Sequence, residues 1–212
     1  MDFLFFSLAF LTSIHILTMA FVAERYGVEV RKIIIGLGPT LFKYRKIEIR
    51  CLPFTGMVKL LDSRVDEIDT EQLSKAFDHQ SRWVRASIIL SGSFVLVAIS
   101  LLLSGVQAFA SLASGFEQFL FSGVPGLSAL YYEQIQAVLV SETPMQVFSL
   151  VAIKLAAINL FPFTFMNGGA ALIELFGIPE KIASFLHRIS LAVFILMIVG
   201  WCFFLMGLLA QF

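Results

Sequence analysis

Residues Phe3–Ala23 read FLFFSLAFLTSIHILTMAFVA, with no charged side chain between Asp2 and Glu24. A bilayer-crossing helix needs about 20 largely apolar residues, so this stretch predicts a membrane span. It lacks the basic start and small-residue cleavage site of a secretory leader and reads as a retained first span. One ionisable residue, His15, sits inside it. The rest of the chain agrees with a membrane setting. Of 212 residues, 58% are hydrophobic and 14% charged, with a mean hydropathy of +0.90. Soluble domains average about 45–50% apolar and about 25% charged residues. The formal net charge of +0 supplies no basic field, which argues against a nucleic-acid partner. Two cysteines, Cys51 and Cys202, are too few for a disulfide scaffold or a four-cysteine zinc site.

Three further stretches qualify as spans: 86–106, 145–166 with the single charge Lys154, and 189–212. Twelve of the 15 basic residues fall between Arg25 and Arg85, and the 107–144 connection has none. Excess Lys and Arg mark cytoplasmic loops. The expected topology therefore has 24–85 and 167–188 inside, with 107–144 and both termini outside, as in a bacterial cytoplasmic (inner) membrane. Within 24–85 the pattern changes. Lys46–Leu52 alternates polar and apolar residues, and Ile33-Ile34-Ile35 runs into Gly36-Leu37-Gly38-Pro39. Both are strand signals. The predicted fold is an all-α polytopic membrane protein: four transmembrane helices with a small membrane-associated β-hairpin after the first. It forms a single membrane domain over 1–212. Residues 62–78 are expected to be a solvated linker. The 107–144 loop is expected to hold at most an interfacial helix near 115–120.

Five blocks then occur in one order: Gly27-Val28-x-Val30, Ile35-Gly36-Leu37-Gly38-Pro39, Pro53-x-x-Gly56-x-Val58-Lys59, Arg85-Ala86-x-Ile88-x-x-x-Gly92, and Asn159-x-x-Pro162 followed by Met166-Asn167-Gly168-Gly169. Their order and spacing resemble the site-2 proteases, which are intramembrane zinc metalloproteases. The resemblance covers about 14–102 and 156–173, without an inserted PDZ-like domain. It implies a metal site between the first and third core helices near the cytoplasmic face. It also implies a hairpin, here about 28–59, that holds substrate as an added strand. Gly36, Gly38, Ile47, Ile49 and Gly56 are the substrate- or partner-binding positions so implied.

Members of that family carry H-E-x-x-H on the first helix, where two His at i and i+4 bind zinc and the Glu is the general base. The run Val22–Val28 aligns this motif with His15-Ile16-Leu17-Thr18-Met19. The first ligand survives. The base position is Ile16, the second ligand position is Met19, and the family's Asp ligand is Asn167. Three of the four chemical positions are changed, and nothing titratable replaces the Glu. Glu24 lies nine residues after His15, about 180° around the helix. Glu174, His79 and His187 are the other candidates for a substitute base.

The resulting expectation is a non-catalytic site-2-protease-like protein without a resident cofactor. It would bind transmembrane segments or a partner integral membrane protein in a regulatory, chaperone or assembly role. The alternative is an active intramembrane zinc protease with a divergent site. A third reading makes His15, Met19 and Asn167 a soft metal site suited to copper(I). The plain structural reading of His15 is a neutral imidazole hydrogen-bonded across helices to Asn167 or Thr18. Lys154, mid-helix, is expected to point inward or towards a partner.

Overall fold

The protein is described by a computed structural model covering residues 2–124 and 126–209. The apolar run at the start forms α1 (Asp2–Arg25). It is followed by strands β1 (Val30–Tyr44) and β2 (Ile47–Leu60) and a 3-10 turn over Thr70–Lys75. The remaining helices are α2 (Arg82–Ser104), α3 (Gln107–Phe121), α4 (Leu127–Ser141), α5 (Pro144–Leu160), α6 (Asn167–Phe176) and α7 (Glu180–Leu209). Helices α1, α2 and α7 are long and apolar enough to cross a membrane, while α5 is apolar but has only 17 residues.

Local sequence sets several of these boundaries. The Ser81 side chain accepts a hydrogen bond from the Val84 amide and caps α2. Thr143 and Gln146 form a reciprocal capping box on α5, with Pro144 at its first position. Both devices satisfy amide groups that a helix start leaves without partners. Helix α2 lies at the centre of the fold and packs against α1, α5 and α6.

Two expectations are corrected here. The 107–144 segment, expected to be a loop holding an interfacial helix near 115–120, forms two 15-residue helices. Helix α3 lies along α5: Ser114 meets Lys154, and the Phe116 and Phe119 rings meet Phe161. The paired numbers rise together, so the two helices run in the same direction. The Trp201 indole N–H of α7 donates to Ser122 Oγ at the α3 end, at 2.7 Å. Glu117, Gln118, Glu133 and Gln134 interrupt the hydropathy of this segment, so length and apolarity alone do not announce it. Second, the 145–166 run breaks. Helix α5 ends at Leu160, and Asn167 opens a new helix rather than continuing one. Gly168 and Gly169 allow this, because a Cβ at either would collide with the backbone of Leu160 or Phe163.

The hairpin is more folded than two strands in sequence. β1 and β2 pair antiparallel, but Ile33, Ile34 and Ile35 each face two partners. On one side these are Val58, Met57 and Gly56; on the other they are Ile47, Glu48 and Ile49. On that second side the numbers rise together, which is parallel pairing. Ile47, Glu48 and Ile49 in turn face Tyr44, Lys43 and Phe42. The lateral order is therefore 42–44, 47–49, 33–35, 56–58. This order requires the two connections to cross, and Gly36 lies at the crossing with φ +101°. A side chain there would be strained by its backbone and would put a Cβ 2.9 Å from the Arg50 carbonyl oxygen. Ile47 and Ile49, expected to lie on the strand that receives substrate, are instead paired on both sides. They have no free backbone edge to offer.

Glu48 fastens this sheet from within. Only 5% exposed, it accepts hydrogen bonds from Thr40 (2.8 Å) and Arg50 (2.7 Å) and is ion-paired with Lys32. The Lys32 contact, then Arg50 and Thr40, pull its carboxyl down from 4.5 to about 2. A carboxyl with a depressed folded-state pKa adds stability above its unfolded pKa and loses it as pH falls through the folded value. The hairpin should therefore keep its structure down to about pH 4.5 and loosen between there and pH 2. Limited proteolysis of 30–60 across this range would reveal the change. Glu48→Gln should abolish the pH dependence, and a wild-type hairpin still protected at pH 2 would contradict this role.

Candidate functional site

His15 and Met19 lie one turn apart on α1, on the face that meets the start of α6. His15 is 4% exposed. The Asn167 amide nitrogen is 3.0 Å from His15 Nε2 and 3.4 Å from Met19 Sδ. An amide NH2 has two protons, and here they have two acceptors. With Nε2 accepting, the imidazole proton sits on Nδ1. That atom is buried beside Gly92 without a hydrogen-bond partner among the described residues. Gly92 makes the close approach of α2 possible, because a Cβ there would lie 2.6 Å from Nδ1. The three positions that the sequence aligns with metal ligands thus converge on one point, joined by hydrogen bonds. Of the two hydrogen-bond partners proposed for His15, Asn167 is the one that engages it, as donor.

This donor set does not fit zinc. Zinc sites are built from Cys thiolate, His nitrogen and Asp or Glu oxygen, and only His15 is of that kind. Its Nε2 lone pair is occupied by the amide. Among the described residues, no three His, Cys, Asp or Glu side chains come together as a metal-binding group.

Ile16, about 100° around α1 from His15 and about 60° from Met19, enters the largest of the apolar clusters. It is 4% exposed and packs with Ala20, Ala23, Val30, Ile33 and Ile35. β2 presses directly onto it at Gly56, where a Cβ would lie 2.8 Å from Ile16 Cγ1 and 2.5 Å from the Ile34 carbonyl oxygen. Gly56 is thus an implied hairpin residue that lies directly against the α1 motif, and Ile47 packs on the same cluster. Gly36 and Gly38 serve the crossing instead, Gly38 against Cys51 Sγ.

The substitute bases are all engaged elsewhere. Glu174 bridges Arg64 and Arg85, each at 3.0 Å. Glu24 is exposed beside Lys46. His79 lies by Asp78, and His187 Nδ1 is 3.0 Å from Thr164 Oγ1. The Arg64–Glu174–Arg85 group links the linker, α2 and α6 below the site, and no sequence signal marked it beyond the charges themselves.

The order of helices, the hairpin and the convergence of 15, 19 and 167 match what the sequence resemblance implies. A family model described as Peptidase family M50 matches residues 3–199. The chain belongs to this family, the site-2 proteases. Among curated relatives, a Vibrio cholerae protein assigned as a zinc metalloprotease is 38% identical over 91 residues, which are 41% of this chain and 20% of that protein. Zinc metalloprotease Rip1 of Mycobacterium tuberculosis is 31% identical over 105 residues, 46% of this chain and 26% of that protein. The regulator of sigma E protease of Haemophilus influenzae is 31% identical over 91 residues, 41% of this chain and 20% of that protein. The chain thus aligns with only about a fifth to a quarter of these relatives' lengths. At the positions that the sequence aligns with the motif, this chain carries His15, Ile16, Met19 and Asn167.

Proposed function

We propose that this chain is a non-catalytic member of the site-2 protease family that binds transmembrane segments of partner membrane proteins. The observation that carries this reading is the Asn167 amide, which donates to both His15 Nε2 and Met19 Sδ. Peptide hydrolysis by this family's chemistry needs a metal-activated water and a base to take its proton. Here the first ligand's lone pair is spent on an N–H, and the base position is an isoleucine in the core. What survives is a binding scaffold. The backbone edge nearest α1 is Gly56–Leu60, which pairs on its inner side with β1. Strand addition there would hold an unwound segment beside His15.

In the membrane we place four spans, α1, α2, α5 and α7, with the hairpin and Glu174 on the cytoplasmic side. The 17 residues of α5 span about 25 Å, and the non-helical 161–166 segment carries the chain the rest of the way. Helix α3 lies beside α5 and is entered from the outer face, and α4 touches α3 and α7. The Lys and Arg distribution favours a bacterial inner membrane with both termini outside.

The test pairs metal analysis with a cleavage assay on the purified, detergent-solubilised protein. We expect less than about 0.1 zinc per chain, against the roughly one of a formed site. A synthetic transmembrane peptide should be bound and recovered intact. Near-stoichiometric zinc with chelator-sensitive cleavage would overturn the proposal and establish an active protease with a divergent site.

A further inference from the structure

We propose that Lys154, with Ser114 against it and Glu117 one turn further along α3, forms an intramembrane seat for a carboxylate carried on a partner's transmembrane helix. This rests on the reading that the chain binds transmembrane segments, and it names where and by what chemistry.

Lys154 is the one charged residue of α5 and the eleventh of its 17 residues. A charge at such a depth is costly and survives where it pairs or functions. An ammonium has three donors, yet Nζ makes one hydrogen bond among the described residues, to Ser114 Oγ at 2.7 Å. No carboxylate of the described residues lies within ion-pair distance of it. Ser114 is uncharged and does not neutralise it: its hydroxyl accepts from Nζ and donates a hydrogen bond to the Ser111 carbonyl (3.1 Å).

The fold holds this charge in place. At Gly115 a Cβ would lie 2.7 Å from Ala157 Cβ and 3.2 Å from Lys154 Cδ. Glycine therefore lets α3 cover the lysine's aliphatic stem, while the half-buried ammonium stays at the seam between α3 and α5. Beside that seam the surface is polar and open. Glu117 is exposed and accepts from the Tyr131 hydroxyl at 3.5 Å, and the Gln118 and Gln134 amides meet at 3.5 Å. Helix α4 has one buried residue, Ser128. The α3–α4 face is thus available for lateral association.

Charge complementarity selects the occupant. An ammonium without a carboxylate partner in a low-dielectric layer favours a carboxylate and rejects a cation. Glu117 is the internal competitor, near enough to answer Lys154 but held by Tyr131.

The test uses the full chain in neutral lipid vesicles, with energy transfer to labelled polyleucine peptides carrying one central Asp, Leu or Lys. We expect the Asp peptide to bind about tenfold more tightly than the Leu peptide, a difference of about 1.4 kcal/mol, and the Lys peptide to bind no better than Leu. Lys154→Gln keeps a donor for Ser114 and should erase the Asp preference; Lys154→Arg should keep it. Glu117→Gln should strengthen it several-fold. Equal binding of Asp and Leu peptides, or an Asp preference that survives Lys154→Gln, overturns the seat. If a photocrosslinker at the exposed Met57 still captures the peptides in that case, the binding reading stands and only the seat fails. If neither route binds, both fail.

Discussion

The double variant Met19→His, Asn167→Asp should purify with about one zinc per chain, where the wild-type protein is expected to carry almost none. The expectation follows from the geometry. His15 Nε2 and Met19 Sδ both lie within hydrogen-bond reach of one atom, the Asn167 amide nitrogen, at 3.0 and 3.4 Å. The scaffold thus already brings the three side chains to one point. The two substitutions replace a thioether and an amide with an imidazole and a carboxylate, and they release the His15 lone pair. The product is a His, His, Asp set, a combination that zinc accepts with a fourth position left open. Either substitution alone should bind far more weakly, because two ligands do not make a cage. Adding His15→Ala to the double variant should return the zinc content to near zero. A metal-free double variant from zinc-replete cells would mean that α1 and α6 do not meet at these residues. Zinc binding should come without hydrolysis, since Ile16 still occupies the base position.

How much of this was legible in the sequence depends on the length scale of each signal. Phe3–Ala23 is long, uncharged and unambiguous, and it forms α1. The alternation in Lys46–Leu52 and the Ile33–Ile35 run predict strands, and both are strands. The pairing was not legible. That Ile47 and Ile49 lie inside the sheet depends on two connections crossing at Gly36, a tertiary event with no periodicity. The family resemblance puts Asn167 at the metal-ligand position of the third core helix, yet it begins a separate helix. The break arises where Gly168 and Gly169 pack on the carbonyls before them. The helix signal at 115–120 covers only part of α3, and α4 has no such signal, because Glu117 and Glu133 make the hydropathy of this segment look like that of a loop; what keeps α3 in place is contact with α5. The Ile16 substitution was legible as the loss of a base. Its burial under Gly56 was not, because burial belongs to the partner surface rather than to the residue.

That burial makes Ile16→Glu a severe change rather than a repair. The motif's glutamate has to face water and metal; here the side chain at this position lies under β2, among Ala20, Ala23, Val30, Ile33 and Ile35. Truncation to alanine should cost about 2–5 kcal/mol through the lost contacts and the cavity. Glutamate should cost at least as much, because nothing polar in the cluster can accept or donate to it and a buried carboxyl without partners is heavily penalised. We expect the unfolding midpoint of Ile16→Glu in detergent to drop by on the order of 10 °C, with 30–60 becoming protease-sensitive as the hairpin lifts off α1. The same change added to the zinc-binding double variant should therefore leave hydrolysis absent, since the carboxylate either stays protonated in the core or detaches the sheet. Wild-type stability in Ile16→Glu, with the hairpin still protected, would require the α1–hairpin interface to admit water, and the base position would then be recoverable. On the proposed reading, building a hydrolytic site here requires more than three substitutions at the motif. The surface that β2 presents to α1, beginning with Gly56 and Ile35, has to change with it.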